Sequence, residues 1–261
     1  MKILAKVLKF TKAPAYRRLD HAPNPLKLKI VLALLQWGII IGITVGIFNQ
    51  WLIGLLKIDL GEHAIETFLQ NYSIVPLFLM AVIIAPAVEE ILFRGPLSWF
   101  KNKKYFKYCF YASVLLFAAV HMTNFEMTRE VYYIAPLLVA PQLILGVFLG
   151  YVRVKLGLQW SICLHAMYNG ILVIPILLYK LLDAKAEEYN RPDFLSTDPI
   201  RIPHGFTKKE DIEISGFLTA TIAWGNRKSI INNSERMMEL LENSPFDFVM
   251  NHQKRDLEKL R

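Results

Sequence analysis

Long apolar runs, each about the length of a bilayer crossing, dominate the pattern of this chain. The 27 residues between Lys29 and Lys57 carry no charge, which is enough for one transmembrane helix with length to spare for tilt. Further apolar runs cover about 72–100, 105–125, 131–152 and 157–182. The pattern predicts an all-α, polytopic bundle of five transmembrane helices, followed by a small soluble tail.

The same pattern divides the chain into four parts. We expect a basic lead at 1–29, a first transmembrane helix and its loop at 30–71, a membrane core at 72–183 and the soluble tail at 184–261. The lead is too long for the charged region of a signal peptide, and the apolar run behind it is too long for the signal's hydrophobic region. We therefore expect an uncleaved anchor.

Composition strengthens the membrane prediction. Hydrophobic residues make up 54% of the 261 positions, charged residues only 20%, and the mean hydropathy is +0.33. This balance is not typical of a soluble globular enzyme. The two cysteines, Cys109 and Cys163, lie inside apolar runs, so the sequence predicts neither a disulfide framework nor a paired-cysteine metal site.

Positive charge is concentrated at the start of the chain. Residues 1–29 contribute +7 of the formal net charge of +8, because eight lysines and arginines there face a single acid, Asp20. The loop at 101–107 is also basic, whereas the loops at 57–71 and 123–130 lean acidic. Since basic short loops mark the cytoplasmic side, we expect a multi-pass protein of the cell membrane, in a bacterial inner membrane, with a cytoplasmic N-terminus. The rest of the chain is nearly neutral, so we expect no nucleic-acid partner.

Glycines recur at every fourth position on two of the predicted spans. Gly38, Gly42 and Gly46 form one ridge, and Gly146 with Gly150 repeats the spacing on the fourth span. Such ridges let membrane helices approach closely. We expect packing within one chain, with dimerisation as the alternative, and the oligomeric state stays open.

Six polar or charged residues interrupt three of the apolar runs. A charged side chain at the centre of a membrane helix costs about 2.5 to 3.5 kcal/mol, so its presence calls for an explanation. The second run carries two carboxylates and an arginine, the third ends in a histidine, and the fifth carries a histidine and an asparagine. These residues are Glu89, Glu90, Arg94, His121, His165 and Asn169.

Helical geometry separates the two glutamates. Glu90 and Arg94 are four residues apart and share a face, whereas Glu89 points about 100° away and lacks that partner. Burial without a cation makes a carboxylate a better proton acceptor, which suits Glu89 to be a general base. His165 and Asn169 are also four apart, so their N–H groups can stabilise a developing oxyanion together.

Depth in the bilayer is consistent with a shared site. At about 1.5 Å of rise per residue, Glu89, His121 and His165 lie about 15 to 21 Å from the basic residues that mark the cytoplasmic interface. This requires the second helix to continue past Gly95 and Pro96, because a helix that ends at residue 94 would leave Glu89 too shallow to meet the histidines.

The polar motifs resemble the signature of a known family. The segments EEILFR (89–94), FAAVH (117–121) and HAMYN (165–169) match, in order, the pattern EExxxR, FxxxH and HxxxN. In this the chain is similar to the CPBP or Abi family, which contains CAAX prenyl proteases of the Ras-converting type and bacteriocin-processing or immunity proteins. The resemblance covers roughly residues 72–182.

The resemblance implies an intramembrane endopeptidase with an all-helical core. It assigns water activation to Glu89 with His121, the oxyanion hole to His165 with Asn169, and support of the site to Glu90 with Arg94. A prenylated CAAX protein, a bacteriocin leader or a membrane-anchored regulator would suit such a site equally well. The expected partners are therefore the lipid bilayer and a peptide or membrane-anchored protein.

The sequence leaves alternatives open both for the cofactor and for the function. Family members are commonly labelled metalloproteases, and zinc on Glu89, His121 and His165 is one reading, but a glutamate-activated water needs no metal and we expect none to be required. A non-catalytic immunity or scaffold protein is the alternative function. A transporter or proton relay is a further one, although five spans without an internal repeat argue against most carriers.

Overall fold

The structure is a computed structural model that describes residues 2–60, 68–69 and 71–260. These residues form helices and connecting segments and contain no β-strand, which confirms the predicted all-α class. The chain divides into two compact units, residues 1–180 and 181–261. Part of the acidic loop predicted at 57–71 lies outside the described residues.

Among the described residues, five helical segments are long and apolar enough to cross a membrane, as predicted. They are Asn24–Leu56, Ile74–Ser98, Phe106–Asn124, Arg129–Lys155 and Leu158–Tyr189. We call them spans one to five. A short amphipathic helix, α1 (Lys2–Lys12), precedes them, and span one is the single regular helix α2 (Asn24–Leu56).

Span two, here α3 (Ile74–Ser98), changes its winding four times. An α-helical turn at Ile74–Phe78 is followed by a π-helix at Leu79–Ile84, an α-helix at Ala85–Glu89, a second π-helix at Glu90–Arg94 and a 3-10 turn at Gly95–Ser98. The helix therefore continues past Gly95 and Pro96, as the depth argument requires. The wider π-helix is rare in proteins, and where it occurs it often lies at a functional site.

Span three consists of α4 (Phe106–Val120) and a 3-10 turn at His121–Asn124. Span four is not the continuous helix that the sequence predicted, because it breaks at Val139 into α5 (Arg129–Leu138) and α6 (Ala140–Lys155). Pro141 follows the break and has no N–H with which to continue the ladder. The carbonyl of Leu137 accepts a hydrogen bond from the Asn49 amide of α2 instead, at 2.8 Å.

Span five, α7 (Leu158–Tyr189), continues beyond the predicted end near residue 182. Its last turns, AKAEEY, contain good helix formers and an ion pair between Lys185 and Glu188, three residues apart. These local preferences extend the helix until Pro192, before which the helical conformation is disfavoured.

The core of the first unit lies where spans three and four meet. A Cβ atom at Gly150 would lie 2.6 Å from the Phe110 ring, so only glycine permits this approach of α6 to α4. The basic lead packs against the same end of the bundle. Its Phe10 makes edge-to-face contacts with Phe110 and Tyr151, at centroid distances of 5.2 and 5.3 Å.

The second unit contains the last turns of α7 and the short helices that follow it. Its elements are α8 (Pro192–Leu195), α9 (Arg201–His204), α10 (Lys209–Thr221), α11 (Arg227–Leu240), α12 (Pro245–Asn251) and a 3-10 turn at Asp256–Leu260. Ion pairs between Arg201 and Glu235 and between Arg227 and Asp198 link its helices.

Candidate active site

Glu90 and Arg94 form a completely buried ion pair on the second π-helix of α3. Their side chains have no exposed surface, and Nη1 of Arg94 lies 3.4 Å from Oε1 of Glu90. The guanidinium group also stacks over the Phe117 ring, with Cζ 3.8 Å from the ring centroid. The pair thus connects span two to the FxxxH segment of span three.

Glu90 is also bound by two residues of span five. Nδ1 of His165 lies 3.2 Å from Oε1, and the hydroxyl of Ser161 donates a short hydrogen bond to Oε2. The sequence analysis missed Ser161, although it lies four residues before His165 and on the same face of α7. Together these contacts hold the carboxylate of Glu90 between Arg94 of its own span and two residues of span five.

Glu89 faces the other side of the His165 ring. Its Oε2 lies 3.9 Å from Nε2 of His165, and its side chain is 26% exposed, against 2% for His165. This buried Oε2 atom has no hydrogen-bond partner among the described residues. His165 therefore lies between two carboxylates, one fully paired and one with a free acceptor atom.

His121 stands where α4 ends. Its Nδ1 lies 2.8 Å from the carbonyl of Phe117, which can only accept, so Nδ1 carries the hydrogen and Nε2 keeps a lone pair in the neutral ring. The ring of Phe117 contacts both histidines, with centroid distances of 4.7 Å to His121 and 5.5 Å to His165. Phe117 thereby fixes the spacing of the two imidazoles.

Asn169 is held by the first π-helix of α3. Its Nδ2 donates to the carbonyl of Ala81 at 2.9 Å, which uses one of the two amide hydrogens and leaves the second available. The π-helical winding from Leu79 to Ile84 leaves this carbonyl accessible to span five.

One cavity of about 390 Å³ connects these groups. Its polar wall includes His121, His165 and Asn169 together with Asn124 and Gln142, two residues that the sequence analysis did not single out. Its other wall is mainly apolar and comes from spans one, four and five.

The six residues predicted for the site are not all in direct contact. Glu90, Arg94, Glu89 and His165 form one connected cluster, whereas Glu89 and His121 do not approach within ion-pair distance of each other in the described part of the chain. Glu89 does not line the cavity and contacts it through His165. A bridging water is therefore needed to link Glu89 with His121.

The arrangement does not match the ligand set that zinc would need. Within the described residues, no group of three or more His, Cys, Asp or Glu side chains is placed to hold a metal ion. The predicted alternative of zinc on Glu89, His121 and His165 therefore does not fit the positions of these side chains.

Comparison with known proteins gives two family matches on separate parts of the chain. Residues 198–261 match the family described as Protein of unknown function (DUF2400), and residues 71–171 match Type II CAAX prenyl endopeptidase Rce1-like. No curated protein and no solved structure matches the chain. The second match contains all six predicted site residues and confirms the predicted family resemblance. Residues 71–171 of this multi-pass membrane protein are thus similar to the type II CAAX prenyl endopeptidase Rce1-like family.

Proposed function

We propose that the protein is an intramembrane endopeptidase that hydrolyses a peptide bond close to a membrane anchor. The observation that carries the proposal is the position of Glu89, whose free carboxylate oxygen faces His165 at the wall of a cavity that His121 and Asn169 also line. Acid, imidazole and amide are thus available to one bound peptide. Membership of residues 71–171 in an endopeptidase family supports the same reaction.

Water activation is assigned to Glu89 and His121. A water molecule between them donates one proton to the Glu89 carboxylate and one hydrogen bond to the lone pair on Nε2 of His121. Its oxygen attacks the peptide carbonyl carbon and forms a tetrahedral intermediate. When the C–N bond breaks, the protonated Glu89 returns its proton to the leaving amine, so one water and one peptide give an acid and an amine.

Oxyanion stabilisation is assigned to His165 and Asn169. Nδ1 of His165 is held by Glu90, whereas Nε2 lies 3.9 Å from Glu89, beyond hydrogen-bond distance, and the ring lines the cavity, so an N–H at Nε2 is assigned as one donor. The second amide hydrogen of Asn169 is the other donor. Donors held in place before the reaction stabilise the negative charge that develops on the carbonyl oxygen.

Glu90, Arg94 and Ser161 support the reacting groups. The charge of Glu90 is compensated by Arg94, and its two oxygens hold His165 and Ser161. This reaction requires no cofactor. We propose a membrane-anchored or lipidated peptide as substrate, a cell-membrane location and a cytoplasmic N-terminus, since basic residues cluster on the lead and the 101–107 loop.

The test is a cleavage assay in proteoliposomes. A farnesylated peptide that ends in a CAAX sequence, an unmodified leader-type peptide and a peptide on a transmembrane anchor are incubated with the protein, and products are identified by mass spectrometry. We expect at least one peptide to be cleaved at a defined bond. Glu89→Gln should lower the rate by about 10³-fold, because a general base contributes about 10² to 10⁴.

Glu126→Gln is the matched control, since it makes the same change at an exposed loop residue that does not line the cavity. Its rate should equal that of the unmodified protein. Activity that survives in Glu89→Gln would contradict the proposed mechanism. The complementary experiment compares the membrane proteomes of cells with the native protein and with Glu89→Gln, where peptide ends that depend on the carboxylate identify the natural substrate.

A further inference from the structure

Arg153 is a buried cation that the proposed reaction does not use. It lies near the end of α6 and is only 7% exposed. In the described part of the chain it forms no ion pair with a carboxylate. A buried charge without a counterion costs several kcal/mol unless hydrogen bonds compensate for it, so its contacts explain why it is buried.

All three partners of the guanidinium group are neutral oxygens. Nε donates to the carbonyl of Arg94 at 2.9 Å, Nη2 lies 3.4 Å from the carbonyl of Gly95, and Nη1 lies 3.4 Å from the hydroxyl of Tyr16. The two carbonyls mark the point where the second π-helix of α3 changes into a 3-10 turn. Such a change of winding leaves carbonyls without a regular helical partner.

The carbonyl that Arg153 holds belongs to Arg94 itself. The Arg94 side chain neutralises Glu90, and Glu90 holds His165 at the wall of the cavity. A change in the winding of this turn would therefore move the carboxylate and, through it, the imidazole. Misplacement by about 1 Å can lower a rate by about 10²-fold.

We propose that Arg153 is a positioning residue that fixes the π-helical turn of α3 and thereby the Glu90–His165 contact. The proposal rests on the proposed peptidase function for its kinetic consequence, but the structural consequence is independent of it. Tyr16 gives the basic lead a part in this support, since it holds Arg153 from a segment outside the family match.

The experiment compares Arg153→Met, Arg153→Lys and Lys155→Met in proteoliposomes. Methionine keeps most of the side-chain length while removing the fork of donors. Lys155→Met is the matched control, because it removes the same charge two residues later on the same helix. The backbone carbonyl of Lys155 accepts a hydrogen bond from Leu19 of the lead, which the substitution retains. The substitution also removes the contact of Nζ with the Phe10 ring, 5.4 Å from its centroid, which does not involve α3.

Two measurements are made on each variant. Hydrogen exchange of the 90–98 segment should become about tenfold faster in Arg153→Met, since two carbonyl bonds are lost, and should be unchanged in Lys155→Met. With a cleaved peptide, kcat should fall about 10- to 100-fold in Arg153→Met at unchanged KM. Arg153→Lys keeps the charge but loses the planar fork of donors, so it should lie between the other two variants in both measurements.

Equal exchange and equal kcat in Arg153→Met and Lys155→Met would overturn the proposal. Faster exchange spread over all five spans would also overturn it, because that result indicates a general structural role. If the unmodified protein cleaves no peptide, the proposed function fails, whereas faster exchange confined to 90–98 still supports the positioning role. Faster exchange at unchanged kcat would show that the turn does not control the site.

Discussion

Spans one and two are neighbours in sequence and opposite in construction. Span one is a regular α-helix of 33 residues, and 27 of them in a row carry no charge. Span two has 25 residues, five helical sections and three charged side chains. Span one keeps regular α-helical geometry throughout, whereas the irregular winding of span two leaves backbone carbonyls that need partners on other spans.

The partners of span two are side chains on other spans. Its carbonyls at Ala81, Phe93 and Arg94 accept hydrogen bonds from Asn169, Ser113 and Arg153, respectively. In lipid an unpaired carbonyl costs several kcal/mol, so these bonds are what make the irregular winding tolerable. The same bonds fix spans three, four and five around the candidate site.

The largest expected effect is on the stability of span two. Arg94→Met leaves the fully buried Glu90 without its cation and should lower the free energy of unfolding by about 3 to 5 kcal/mol. Thermal denaturation in detergent micelles measures this. Lys107→Met, which removes an exposed cation from span three, is the control and should change stability by less than about 0.5 kcal/mol. Similar stability of the two variants would mean that the buried ion pair between Glu90 and Arg94 does not stabilise the fold.

The next effect concerns the link between spans two and five. Asn169→Ala removes the bond to the Ala81 carbonyl and one of the proposed oxyanion donors, so kcat should fall about 10²- to 10³-fold. Asn102→Ala, at an exposed loop position, should have no effect on kcat. The cleavage assay in proteoliposomes measures both variants. A rate in Asn169→Ala within about threefold of the unmodified protein would contradict the role of the amide.

The smallest effect tests the packing of span one. A Cβ atom at Gly42 would lie 2.5 Å from the hydroxyl of Tyr168, whereas a Cβ at Gly46 would meet no atom within 4 Å among the described residues. Gly42→Ala should therefore be less stable than Gly46→Ala by about 1 to 3 kcal/mol, because overpacking opposes the gain in helix propensity. Thermal denaturation of both variants decides this. Equal stability would indicate that Tyr168 moves aside without cost.

The glycine ridges also show which part of the helix packing a sequence pattern can predict. Gly38, Gly42, Gly146 and Gly150 each lie against a side chain of another span of the same chain, in agreement with the expected intrachain packing. Gly46, with the same spacing, has no such neighbour among the described residues. A ridge identifies the face of a helix that can pack closely, but how far the contact extends depends on the angle at which the partner crosses.

The candidate site also contains some contacts that the sequence indicated and others that it did not. The spacing of Glu90 and Arg94 on one helix indicated their pairing, because residues four apart are neighbours on a helix surface. The position of Ser161 beside Glu90 and of Arg153 beside the Arg94 carbonyl could not be read in this way. Both contacts join residues that are far apart in the sequence, and neither residue type is unusual where it stands.

By itself, the amino-acid sequence determined five membrane crossings, their order and the three segments that carry the polar groups. It could do so because crossing a bilayer imposes a length and a polarity on each segment separately. Only the tertiary structure decided that span two winds irregularly, that span four breaks at Val139 and that His165 lies between two carboxylates. These features depend on hydrogen bonds between spans, because a carbonyl in lipid can leave its helical partner only where another helix supplies a donor.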